Sequence, residues 1–126
     1  MLIISTDQRR EHSKHKTKMA SYIQEKFFNM VCEPNTGAEK IFTYYRTHRN
    51  DIDLGVQMGE RNETIFHFLA RNDDESILDG LLSELEPVEI IEIMRKEDKE
   101  GKVPMNTGNP RIIDVILSHM YPNKSH

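Results

Sequence analysis

Thr64-Ile65-Phe66-His67-Phe68-Leu69-Ala70, followed by Ile77-Leu78-Asp79-Gly80-Leu81-Leu82, is the stretch whose reading decides the fold. Thr64 suits a helix N-cap, where its hydroxyl accepts from the backbone N–H groups of the first turn. His67 stands three residues on, where a polar side chain can reach back to the cap in a capping box. Ile77, Leu78, Leu81, Leu82 and Leu85 recur at helical spacing and line one face. Two short helices joined by a tight turn are predicted, and neither carries enough apolar surface to fold alone.

The same arrangement recurs on either side. Phe27-Phe28-Asn29-Met30-Val31-Cys32 precedes a shorter stripe at Ile41, Phe42 and Tyr45. Pro104-Met105-Asn106-Thr107-Gly108 precedes another at Ile112, Ile113, Ile116, Leu117 and Met120. Phe28, Phe66 and Met105 stand 38 and 39 residues apart, and Ile41, Ile77 and Ile112 stand 36 and 35 apart. Such a period predicts stacked helix pairs that share a core with their neighbours. No segment sustains strict alternation, so the fold class is all-α. Asp98-Lys99-Glu100-Gly101 reads as a turn, with an Asp that bonds its own backbone and a Gly that tolerates positive φ. Pro104 fits a first helical turn, where its missing N–H does no harm.

These phrases resemble the ankyrin repeat. Thr64 to Ala70 is similar to T-P-L-H-x-A-A, Ile77 to Leu82 to I-V-x-x-L-L, and Asp98 to Met105 to D-x-x-G-x-T-P-L. The resemblance implies an ankyrin-repeat solenoid of about three stacked helix-turn-helix units with degenerate terminal repeats. Thr64, His67, Ala70, Asp98, Gly101 and Pro104 would form its structural motif. The chain also departs from the pattern, because its spacing exceeds the usual period of about 33 residues. The surplus falls around Leu85 to Lys96, where Glu86-Pro87 can open an extra short helix. The first unit has Asn29 in place of the His, and Cys32 matches the buried Ala70. The last unit has lost about one turn of its first helix. Ankyrin proteins bind partners with projecting fingers and the adjacent first helices, so the resemblance makes Gln57, Met58, Glu60, Arg61, Asn62, Lys96, Glu97, Lys99 and Glu100 the candidate partner-binding residues. Their charge suits steering toward a basic partner.

Within ankyrin proteins, few and stretched repeats with phrases such as Gly59-Glu60-Arg61-Asn62-Glu63-Thr64-Ile65-Phe66-His67-Phe68-Leu69-Ala70-Arg71 resemble the viral ankyrins of polydnaviruses (vankyrins), over roughly residues 20–120. That resemblance implies an IκB-like inhibitor that binds the Rel-homology region of a host NF-κB factor and suppresses immune signalling. It places the protein inside the host cell, in the cytoplasm and the nucleus. Regulated IκB proteins carry a D-S-G-x-x-S phosphodegron, and Ser5, Thr6, Ser13 and Thr17 lack that spacing. An inhibitor of this kind would act constitutively. A general ankyrin adaptor or effector with a different host target stands beside this reading, as does self-association through an exposed end stripe.

Composition narrows the remaining classes. Of 17 Lys/Arg and 21 Asp/Glu, 5 and 2 lie in residues 1–18, so the other 108 residues hold 12 and 19. A basic lead-in therefore precedes an acidic body, and a net charge of -4 disfavours direct nucleic-acid binding. Residues 5–18 carry no apolar side chain and read as a disordered segment, 1–18, ahead of a repeat domain at 19–121 and a frayed end at 122–126. Met19-Ala20 offers an alternative start. The single Cys32 excludes an internal disulfide framework and fits a reducing, intracellular setting. No apolar run approaches the roughly 18–20 residues that span a bilayer, and Met1-Leu2-Ile3-Ile4 is too short for a signal peptide. His12 and His15 lack a third metal ligand nearby. Catalysis, a metal centre and a cofactor are not expected.

Overall fold

The computed structural model describes residues 19, 21–33, 35–106 and 109–122. The segment 1–18, with His12 and His15, and residues 123–126 lie outside them. Helix α1 covers 21–32. It is followed by α2 (Ala38–Thr47), a 3-10 turn (Arg49–Asp51), α3 (Ile65–Arg71), α4 (Glu75–Leu82), α5 (Pro87–Ile93), a second 3-10 turn (Pro104–Asn106) and α6 (Pro110–Met120). Among the described residues there is no strand, only an isolated antiparallel bridge between Met58 and Glu63. The chain is all-α, and none of its described helices is long and apolar enough to cross a membrane.

Helices α3, α5 and α6 start where side chains satisfy free backbone donors of the first turn. Thr64 caps α3. Asn109 caps α6, its Oδ1 accepting from Ile112 N at 2.9 Å, and Pro110 follows at the first position. Helix α5 opens at Glu86-Pro87, with Glu89 Oε1 accepting from Glu86 N at 2.9 Å. This element fills the stretch in which the sequence exceeds a short repeat.

Helices α1 and α2 meet through Phe27, whose ring stacks on Tyr44 at 6.5 Å and tilts against Tyr45 at 5.9 Å. Helix α2 then packs on α4, α4 on α6, and α6 on α5, while the second 3-10 turn packs on α3. One apolar cluster runs through all of them: Phe27, Ile41, Phe66, Leu69, Leu78, Leu81, Leu82, Ile112 and Ile116 are fully buried within it. Each such side chain contributes on the order of 1.5–3 kcal/mol when withdrawn from water. At the α2–α4 crossing the ring of Phe42 lies directly over Gly80, and a Cβ there would overlap it. Gly80 sits inside a helix because that crossing leaves no room for a side chain.

The outer units differ from the middle one. The shortened first helix of the last unit is a 3-10 turn at Pro104–Asn106. In the first unit Asn29 is exposed. Cys32 is only half-buried, whereas the matching Ala70 is 1% exposed. The turn from α1 to α2 stands away from α3, leaving a cavity of about 320 Å³ beside Cys32, Thr36, Phe68 and Asn72. Burial, with Glu63 nearby, still pushes the Cys32 thiol up to about 11.

Candidate protein-interaction site

Two turns project from the helices. In the first, Met58 N donates to Glu63 O at 2.9 Å and Glu63 N returns to Met58 O at 3.1 Å. The loop between them closes through two left-handed residues, Gly59 (φ 79°) and Asn62 (φ 52°), both of types that tolerate that region. In the second, Asp98 Oδ1 accepts from Glu100 N at 2.8 Å and Lys102 N at 2.9 Å. Asp98 N donates to Lys102 O at 2.8 Å, and Gly101 takes φ 81° to complete the turn. The N–H of Lys102, with that of Glu100, holds the buried Asp98 carboxylate below its ordinary range, against the cost of burial.

The turns lie side by side. Lys99 N donates to Arg61 O at 2.8 Å. Gln57 Nε2 donates both to Asn62 O at 3.0 Å and to Glu97 O at 2.6 Å. Lys96 Nζ donates to Gly55 O at 2.6 Å.

His67, fully buried, anchors this pair to the helices beneath. Thr64 N donates to its Nδ1 at 3.0 Å, and His67 N donates back to Thr64 Oγ1 at 3.3 Å. With Nδ1 accepting, Nε2 carries the hydrogen and donates to Lys102 O at 2.9 Å. One imidazole thus caps its own helix and fixes the base of the turn 35 residues on.

The nine candidate partner-binding residues therefore divide. Glu60, Arg61, Asn62, Glu97, Lys99 and Glu100 are exposed at the tips. Gln57, Met58 and Lys96 are half-buried: the two polar side chains bind carbonyls of the neighbouring turn, and Met58 packs against the core. These three shape the site from within. Of the motif residues, Thr64, Ala70, Asp98 and Pro104 are buried beneath the tips, and Gly101 forms the second turn. Phe68 and Arg71, absent from the sequence-based set, stand on α3 at the foot of the turns. The Arg71 guanidinium lies 5.6 Å over the Phe68 ring and pairs with Glu63 at 2.8 Å. Phe68 occupies the unconstrained position of the repeat phrase, and a large aromatic there is the signal that could have marked it.

The exposed tips carry Glu60, Glu97 and Glu100 against Arg61 and Lys99, with Lys102 adjoining. The charges are mixed in sign, unlike the acidic character of the body as a whole. Among the described residues, no group of three or more His, Cys, Asp and Glu side chains is placed to hold a metal ion. The chain matches no protein-family model, no curated protein and no solved structure.

Proposed function

We propose that this protein is an ankyrin-type, IκB-like inhibitor that binds a host Rel-family transcription factor through its paired turns and the adjoining face of α3. One observation carries the reading. His67 links the Thr64 cap of one helix pair to the Lys102 carbonyl of the next, so the turns stand as a fixed, hydrogen-bonded platform. Such pre-organisation lowers the ordering cost of association. Gln57 and Lys96 hold the platform from behind, leaving Glu60, Arg61, Asn62, Glu97, Lys99 and Glu100 for a partner. The Phe68 ring, half-buried below them, offers an apolar anchor of the kind that dominates interface energetics.

On this reading the protein does no chemistry and acts by occupying a surface of the transcription factor. The resemblance of residues 20–120 to viral ankyrins supports the choice of partner. Capture from insect cell extract by the tagged, folded protein tests it: recovery of a Rel-family protein is the expected result. Recovery of other proteins alone supports a second reading, an ankyrin adaptor with a different host target. The near balance of acidic and basic residues at the tips favours that second reading, since a strongly basic partner would be better met by a uniformly acidic platform.

A further inference from the structure

Among the described residues, the helix stack ends on a face with no neighbour. On α2, Phe42 points at Gly80 of α4. Two residues correspond to about 200° around a helix, so Tyr44 points to the opposite side, away from the rest of the stack. Tyr22 and Met30 of α1 stand on the same side. Two shallow cavities, of about 310 and 360 Å³, meet at Met30: Tyr22, Lys26 and Asn29 line the first, and Lys40, Thr43 and Tyr44 the second. Tyr22 is 63% exposed, and Lys26 Nζ lies 5.7 Å over the Tyr44 ring.

A terminal unit of a stacked-helix protein ordinarily turns a polar outer face to water. This one presents two tyrosines and a methionine as a continuous strip. We infer that the face is an interface for a second copy of this chain, joined about a two-fold axis. Its charges suit self-association. In a two-fold interface each patch meets itself, so a rim of one sign repels and a rim of both signs can pair. The rim here carries both signs: Glu25 and Lys26 on α1, Glu33 just past its end, and Glu39 and Lys40 on α2. Docked about a two-fold axis, such a rim can set the lysines of one copy against the glutamates of the other over an apolar centre. This inference does not depend on the Rel partner, which the turns on α3 and beyond would engage.

Sedimentation equilibrium of the full chain from about 1 to 100 μM tests it. The expected result is a dimer whose Kd rises at least about tenfold in Tyr22→Glu, a change at an exposed position that spares the core, and which Leu117→Glu on α6 leaves intact. A monomer throughout this range overturns the proposal. So does a dimer abolished by Leu117→Glu and not by Tyr22→Glu, which would join the opposite end of the stack. A monomer that dimerises only after residues 1–18 are deleted would also overturn it, by assigning the face to that segment.

Discussion

Nε2 of His67 donates to the carbonyl of Lys102 at 2.9 Å, across 35 residues of sequence, while Nδ1 of the same ring accepts from Thr64 N at 3.0 Å. The ring serves two helix pairs at once, with one donor and one acceptor held in a rigid plane.

His67→Ala is therefore expected to cost about 2–4 kcal/mol, since it opens a void, removes the acceptor of the buried Thr64 N–H and cuts the tie to the Lys102 carbonyl, which keeps only Asp98 N as a donor. Thr64→Ala removes the hydroxyl alone and should cost about 1 kcal/mol. Urea unfolding of both single variants and the double variant measures this. The double should cost less than the sum, because the two groups bond each other.

Gly80→Ala offers a test of packing with a sign that propensity alone would get wrong. Replacing a helix-interior glycine by alanine ordinarily stabilises by roughly 0.5–1 kcal/mol. Here the new methyl meets the Phe42 ring, so a loss of about 1–3 kcal/mol is expected. Phe42→Leu in the same chain should recover part of that loss.

The Asp98 carboxylate, held down by the N–H groups of Lys102 and Glu100, gives stability a pH dependence. A carboxyl group whose folded pKa is depressed contributes fully above its unfolded value of about 3.9 and loses the contribution as pH falls through the folded value. Asp98→Asn should thus be less stable than the native chain at pH 6, with the difference shrinking below about pH 4. Thermal unfolding across that range reads it directly.

Cys32 behaves in the opposite sense. Its thiol is raised to about 11, so the protonated form is favoured, and the associated stability is present below the ordinary thiol value and lost as pH rises toward 11. At pH 8 the folded protein should react with iodoacetamide roughly a hundredfold more slowly than the unfolded chain, in proportion to thiolate.

The middle of the fold is legible in sequence because its signals are local. Thr64 and His67 are three residues apart, and Ile77 to Leu82 repeat within one helix. Even α5 announces itself through Glu86-Pro87. The inner role of Gln57 and Lys96 is not legible, because their acceptors at Glu97 and Gly55 lie 40 and 41 residues away. Both side chains look like ordinary solvated turn residues until the two turns are placed side by side. The half-exposed Cys32 likewise depends on how the α1–α2 turn stands off from α3, which no spacing encodes. Met105 marks a position at which a helix is expected, yet with so few residues before Asn109 there is room only for a 3-10 turn.

Direct association of the protein with the purified Rel-homology region of an insect NF-κB factor, followed by biolayer interferometry, tests the proposed function most closely. Saturable binding is expected, weakened at least about tenfold by Glu97→Lys with Glu100→Lys, in a variant whose unfolding midpoint is unchanged. Folded protein that shows no binding to that region, or binding indifferent to both substitutions and to Phe68→Ala, would contradict it.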